Sequence, residues 1–399
     1  MTQLSAIGVS VPDILLPQGV DAAKWACIAC DQYTSQPEVW LETEKIVGDA
    51  PSTLRIVLPE VWLGEADARI PAIHAHMRQY LDTVLTRTVH GFILTARTTQ
   101  SGCRKGLMLA IDLEQYDFSA GSRSRVRATE GTILSRIPPR QKVRRGAPLE
   151  SPHVMLLIDD KHRTLIEPLY EKLHGTSPLY DAELHQDMGH LTGWAVQDEA
   201  DLAAVQDALL ALDAARGDAP LFAVGDGNHS LATAKACWEE LKPTLSPAER
   251  EDHPARYALV EVVNLYDDAL TFAPIHRVLT GADPEELRPL LREASDGSSA
   301  CATLVTPQGE ETFPGLPVHV LQPLLDDYLA AHPAASIDYV HGDEAARTLG
   351  GRPDSCALLL TTLDKLSLFP AVARGPLPRK AFSMGQANEK RCYFECRAL

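Results

Sequence analysis

The chain has 399 residues, 45% of them hydrophobic, with 37 Lys and Arg against 54 Asp and Glu and a formal net charge of −17. That apolar content is ample for a large core in two or three domains or one intertwined unit, and the negative charge opposes nucleic-acid phosphates and anionic membranes. No apolar run reaches bilayer-spanning length, and the opening MTQLSAIGVSVPDILLPQ lacks the basic and long apolar regions of a signal peptide, so a cytoplasmic protein is expected.

Residues 22–30 (AAKWACIAC) are compact and apolar and read as a short strand or helix. They contain Cys27-Ile-Ala-Cys30, a pattern that serves redox pairs and half zinc sites, with Cys392 and Cys396 as the available second half. The plainer reading, small reduced core residues, is preferred in a long chain of this kind. Residues 38–48 have helical spacing and stop at a glycine. LRIVL at 54–58 reads as a strand, 65–86 as one helix, and 89–118 as short strands. The arginine-rich stretch 121–145 reads mostly as a solvated loop, a few of whose arginines would suit an anionic ligand. Strands are expected at 153–160, 190–196 and 257–265, and helices at 198–215, 284–295 and 319–331. Two last strands are expected at 364–373 and 389–397. Strands and helices mix throughout, which gives a mixed α/β (α+β) class.

The densest group of polar residues lies in LFAVGDGNHSLATAKACWEEL, 221–241. LFAV has the character of a short buried strand, and Leu231, Ala234, Cys237, Trp238 and Leu241 have helical spacing. Gly225 to Ser230 therefore join a strand to a helix. The first amides of a helix have no partner within it, the helix dipole adds positive potential, and glycine lets a ligand come close to the backbone. This is a setting for phosphate, in which Gly225, Gly227, Asn228 and Ser230 would bind and Asp226 and His229 would add metal binding or proton transfer. The alternative is a tight turn capped by Asn228 or Ser230. The string is neither a Walker A loop nor a Rossmann fingerprint. At a helix start the imidazole of His229 is expected to stay neutral near pH 7.

The strings WACIACDQYTSQPEVW (25–40), VGDAPSTLRIVLPEV (47–61), ATEGTILSRIPPR (128–140), PHVMLLIDD (152–160), VGDGNHSLATAKACWE (224–239), LVEVVNLYDDALTFAPIHRVL (259–279) and LPRKAFSMGQANEKR (377–391) resemble the bacterial domain-of-unknown-function family 1015 over nearly the whole chain. In that family the Asp226 to His229 element is similar to the phosphate-binding loop of the ParB and sulfiredoxin-like fold and to the Asp-Gly-x-His element of archaeal free-serine kinases. The resemblance implies a nucleotide-binding core at 1–285 with a β-rich insertion at about 87–196, and an α/β segment at 286–399 folding back on it. It implies ATP or ADP and Mg2+ as cofactors, with Asp226 as the metal ligand. This chain departs from the common pattern in having Asn228 and Ser230 where histidine and arginine are usual, and Cys-Asp-Gln-Tyr at 30–33 where Pro-Pro-Tyr-Asp is common. Lys235, one turn on, could replace the lost arginine charge.

Phosphoryl transfer needs cations on the phosphates and a base for the acceptor hydroxyl. Asp31, where an apolar segment opens into a polar loop, is the first candidate base, weighed against a helix N-cap; Glu38 is a weaker one. His276, Arg277 and Lys380 are candidate phosphate binders, each weighed against a structural role, and Arg127 with Glu130 form a cluster with no assigned role. Asp31, His229, His276 and Lys380 are expected to meet in one cleft. The function expected is a small-molecule kinase acting on a hydroxyl metabolite such as free serine. The alternatives are a nucleotide-binding regulator without turnover and a metal-dependent hydrolase or lyase using Asp226, His229 and His276. The partners expected are a nucleotide and a small substrate, not nucleic acid or membrane, and a homodimer is compatible with this reading.

Overall fold

A computed structural model describes residues 3–119 and 121–399. The chain divides into two compact units. One takes the residues up to Leu270 together with Val372–Gly375 and Gln386–Leu399, and the other takes Thr271–Ala371 and Pro376–Gly385. The fold is mixed α/β in both.

The first unit is built on a ten-stranded sheet. Its strands run in the order Tyr180–Glu183, His190–Val196, Phe92–Thr99, Gly102–Asp112, Tyr257–Asn264, Met155–Ile158, Phe222–Asp226, Val126–Ala128 and Tyr116–Asp117, and Val9–Ser10 pairs beside Gly102–Asp112. The middle strands are apolar on both sides, and alternation sends successive residues to opposite faces. Leu107, Leu109 and Ile111 join Val260 and Val262 in one core, with Trp238 from the helix Asn228–Leu241. Met108 and Leu259 join the opposite core, which holds Trp25, Trp40 and Tyr80. The strands 92–112 and 190–196 thus share one sheet with 222–226 and 257–264.

The C-terminal segment of this unit is buried rather than peripheral. Cys392–Tyr393 pairs antiparallel with Cys27–Ile28, and Arg397–Ala398 pairs with Leu149–Glu150. Arg391 bonds Glu261 at 2.9 Å and also Glu395, which receives the Tyr180 hydroxyl. Arg397 bonds Glu150 at 2.8 Å, and Arg144 reaches the same carboxylate at 2.6 Å. Burial would raise the pKa of Glu261 and Glu150, but Arg391 and Arg104 on the first, and Arg397 and Arg144 on the second, outweigh it and hold both below the usual value.

In the second unit a six-stranded sheet runs Gly309–Pro314, Cys301–Thr306, Ser355–Leu360, Phe272–Thr280 and Ser336–His341, with Phe382–Met384 paired to Phe272–Thr280. The helices Pro284–Glu293, Val318–Ala331 and Asp343–Gly350 belong to it.

The expected elements differ from those observed in four places. Residues 54–58 are not a strand: Thr53–Arg55 is a 3-10 turn, begun by the Ser52 hydroxyl accepting from the Leu54 amide. Residues 364–373 are not a strand either; the 3-10 turn Lys365–Ser367, capped by Asp364, leads into the helix Leu368–Arg374. The stretch 389–397 is two two-residue strands. The basic stretch 121–145 is not mainly a solvated loop. It holds the strand Val126–Ala128 and the helix Ile137–Arg144, and acids from elsewhere meet its cations: Asp213 on Arg125, Glu60 on Arg140, Asp67 on Lys142, Glu150 on Arg144 and Glu240 on Arg145. No helix among the described residues is long and apolar enough to cross a membrane.

Candidate functional site

The strand Phe222–Asp226 and the helix Asn228–Leu241 are joined by one residue, Gly227. Met155 opposes Asp226 while Leu156 opposes Val224, so Gly225 is the extra residue of a bulge. Such a bulge re-aims the side chain that follows it, here Asp226. Gly227 is left-handed, at φ 80° and ψ 25°, and a Cβ there would lie 3.0 Å from Val154 Cα and 3.4 Å from His153 Cδ2. Glycine is needed both for the φ and for the packing. No side chain caps the helix that begins at Asn228. Asn228, His229 and Ser230 thus form its first turn rather than a loop.

Asp226 Oδ1 accepts from the Gly227 amide at 2.9 Å, and its Oδ2 lies 3.4 Å from Lys390 Nζ. Both side chains are mostly buried, at 17% and 14% exposed. His229 Nε2 accepts from the Ile133 amide at 3.3 Å, which requires a lone pair on that nitrogen and so a ring unprotonated there. Thr233 donates to the His229 carbonyl at 2.7 Å, a bond within the helix. Two buried oxygens nearby in sequence, Asn228 Oδ1 and Thr132 Oγ1, take no hydrogen bond among the described residues. Lys235 pairs with Glu239 at 2.7 Å, one turn along its own helix.

Asp31 enters the same cluster. It lies in the turn between the strand Cys27–Ile28 and the helix Pro37–Val47. Its Oδ1 accepts from Gln32 Nε2 at 2.9 Å, and its Oδ2 faces His153 Nε2 at 3.8 Å. Burial would raise its pKa, but His153, the Gln32 amide and then Lys390 outweigh that and hold the carboxyl below its usual value. Lys390 therefore acts on both Asp226 and Asp31. His153, itself buried, is bonded at Nδ1 to the Tyr393 hydroxyl at 2.7 Å, with the two rings edge to face.

The structure thus brings together Asp31, Asp226, Gly227 and Lys390, supported by His153 and Tyr393. Glu38 is exposed in the first turn of its helix, where an acid suits the dipole. Three other candidates lie in the second unit. His276 is fully buried, with Nε2 on Asp343 at 2.9 Å and Nδ1 accepting from the Leu360 amide at 3.1 Å. Arg277 is equally buried, donates to Gln322 at 2.9 Å and to the carbonyls of Ile275, Arg379 and Lys380, and lies over the Tyr339 ring. Lys380 is left-handed at φ 57°. Arg127 is buried and donates to the Ser124 carbonyl at 2.8 Å.

His153, Lys390 and Tyr393 escaped the sequence reading. His153 stands at the head of an apolar strand, and Lys390 and Tyr393 lie in the short mixed stretch EKRCYFECR, where nothing local marks either residue. The one available signal was the repeated meeting of a lone polar side chain with an apolar segment.

Among the described residues no group of three or more His, Cys, Asp or Glu side chains could hold a metal by itself. Magnesium commonly takes one or two carboxylates and completes its shell with water and substrate phosphate, and Asp226 fits that kind of site. The Cys27 thiol is pushed up to about 12 by burial, and all eight cysteines are unpaired with one another.

The family model described as "Protein of unknown function (DUF1015)" matches residues 16–331. No protein of curated function matches the sequence. Among solved structures, a mutant free serine kinase in complex with ADP aligns at 10% identity, over 72% of this chain and 91% of its own, with a TM-score of 0.40. SbnI with a C-terminal truncation, from Staphylococcus aureus, aligns at 8% identity over 72% of this chain and 85% of its own, with a TM-score of 0.39. A conserved hypothetical protein from Pyrococcus furiosus aligns at 12% identity over 73% of this chain and 94% of its own, with a TM-score of 0.36.

Proposed function

The chain belongs to the DUF1015 family, and from the cluster around Lys390 we propose that it is a small-molecule kinase on a ParB/sulfiredoxin-like core, moving the terminal phosphoryl group of ATP or ADP to a hydroxyl metabolite, free serine first among them. One observation carries the reading: two carboxylates, Asp31 and Asp226, share one lysine against an uncapped helix start. A helix N-terminus and a lysine are what phosphate oxygens need, and a carboxylate kept ionised is what an acceptor hydroxyl needs.

In the proposed reaction the acceptor oxygen forms a bond to the terminal phosphorus as the bond from that phosphorus to the bridging oxygen breaks. Asp31 takes the hydroxyl proton. Lys390 and the helix start at Asn228–Ser230 hold phosphate charge, and the neutral imidazole of His229 supplies a hydrogen bond or a proton. Asn228 Oδ1, an acceptor without a donor among the described residues, would take one from the substrate. A magnesium ion entering with the nucleotide would be held by Asp226 and phosphate oxygens and would neutralise charge there.

The test is a thermal-shift titration with ATP and ADP, with and without Mg2+, followed by phosphotransfer to serine and other small alcohols. A ligand at about 100 times its Kd should add about 2.7 kcal/mol of stability. Asp31→Asn should keep that shift and lose turnover. Absence of any nucleotide shift would sink the proposal. A shift without transfer to any acceptor would leave a nucleotide-binding regulator, and activity requiring zinc rather than magnesium would point to a hydrolase or lyase.

A further inference from the structure

We propose that His153 and Tyr393 are a positioning pair for Asp31: Tyr393 fixes the ring of His153 so that its one N–H points at the Asp31 carboxylate. This rests on the reading of Asp31 as the base. The Tyr393 hydroxyl accepts from the Cys30 amide at 3.2 Å. Its own proton we assign to His153 Nδ1, 2.7 Å away, because an imidazole lone pair is a far better acceptor than the neutral Cys30 thiol that the hydroxyl also meets. A ring nitrogen that accepts is unprotonated, so the remaining proton of a neutral His153 sits on Nε2, and Nε2 is the atom that faces Asp31 Oδ2 at 3.8 Å. In this tautomer His153 has no lone pair toward Asp31, so it cannot itself take the substrate proton there.

The 3.8 Å separation has a use. It exceeds the roughly 3.2 Å limit of a good N–H···O bond, so Oδ2 is steered without being saturated and remains able to accept from a substrate hydroxyl. The other oxygen is already held by Gln32. His153 in turn packs against the phosphate turn: a Cβ at Gly227 would stand in ordinary contact with its Cδ2 at 3.4 Å, while the neighbouring Val154, 3.0 Å from that Cβ at Cα, leaves no room for one. The pair therefore ties the base to the turn that would hold the phosphate.

The other charged or titratable groups around Asp31 are Lys390, Cys30 and Tyr393, with Glu60 and Arg140 acting on Cys30. Each is kept in the test. Full-length His153→Phe removes the N–H, His153→Gln offers an amide N–H in its place, and Tyr393→Phe removes only the hydroxyl. The first readout needs no activity: the Asp31 carboxyl is titrated by 13C NMR and the His153 ring nitrogens by 15N NMR, without ligand. His153→Phe should raise the Asp31 midpoint, His153→Gln, which offers an N–H but no charge, should raise it less, and Tyr393→Phe should let the ring proton redistribute between Nδ1 and Nε2. The second readout is phosphotransfer, where the acidic limb of the kcat profile should move up with the same midpoints while KM for nucleotide holds. An unchanged Asp31 midpoint in His153→Phe, or an unchanged ring tautomer in Tyr393→Phe, overturns the pair. Absence of phosphotransfer in the parent would remove the kinase reading and leave the NMR result to decide the pair alone. If His153→Phe does not fold, an unchanged tautomer in Tyr393→Phe still overturns the proposal.

Discussion

Replacing Gly227 by alanine tests the link between turn and base most directly. Sequence alone suggests that a side chain at this position would stand in the ligand's way and leave the fold intact. The structure points the missing Cβ inward, 3.0 Å from Val154 Cα and 3.1 Å from its Cγ2. Ordinary carbon contacts lie at about 3.5–4.0 Å, so the backbone must move by roughly half an ångström. Holding alanine at φ 80° adds a left-handed penalty of about 1–2 kcal/mol, and overpacking a fixed neighbour costs about 1–3 kcal/mol. The expected loss is therefore about 2–5 kcal/mol, and His153 should shift with the turn. Urea unfolding of the parent, Gly227→Ala and Gly227→Asn gives the numbers. Asparagine tolerates the left-handed region better but carries the same Cβ, so it should recover only the conformational part. An alanine variant within about 0.5 kcal/mol of the parent, the scatter of neutral surface changes, would show that the turn relaxes freely and that Gly227 does not seat His153.

Lys390→Met should weaken nucleotide binding by about tenfold or more, as expected for loss of a charge-assisted contact, and isothermal titration would read it; unchanged affinity would take Lys390 out of the phosphate site. His229→Ala should lower turnover by about two to four orders of magnitude and cost only about 1 kcal/mol of stability for the orphaned Ile133 amide, so a kinetic assay and a melting curve together check it. Glu261→Gln should destabilise by about 3–5 kcal/mol, because it leaves Arg391 buried with half its partners, as urea unfolding would reveal. Glu150 and Glu261 have folded pKa values held below the ordinary glutamate value by their arginines, so their contribution is full above the unfolded pKa and is lost as pH falls through the folded one. Unfolding free energies measured from pH 7 down to pH 3 should therefore drop below about pH 4.5 in the parent and drop less in Glu150→Gln.

The strand, glycine turn and helix around 221–241 were legible because apolar run, turn residue and helical spacing each have a local cause. LRIVL and LSLFPAVA misled because short apolar runs suit either state, and the capping oxygens of Ser52 and Asp364 decided for turns. The charges of EKRCYFECR could not be read as buried, since their partners Glu261, Glu150 and Tyr180 lie far away in sequence. The same holds at the site. Asp31 and the Asp226 turn carry local signals, whereas what joins them, Lys390 and the Tyr393–His153 contact, depends on a strand pairing between Cys392–Tyr393 and Cys27–Ile28. Pairing between residues so far apart leaves no local trace.

That pairing also sets an order in time. Ribosomes make Asp31, His153 and Asp226 early, but Lys390, Arg391 and Tyr393 follow only after the whole stretch Thr271–Ala371 has been made. A nascent chain ending near Leu270 carries Glu150 with Arg144 and Glu261 with Arg104, but without Arg397 and Arg391, so burying those carboxylates costs more there than in the finished chain. The first unit therefore closes last although it begins first, and an unfinished chain lacks the Lys390 and Tyr393 of the proposed site. By the same logic a peptide spanning 386–399, added to a protein truncated before it, should complete the unit in trans.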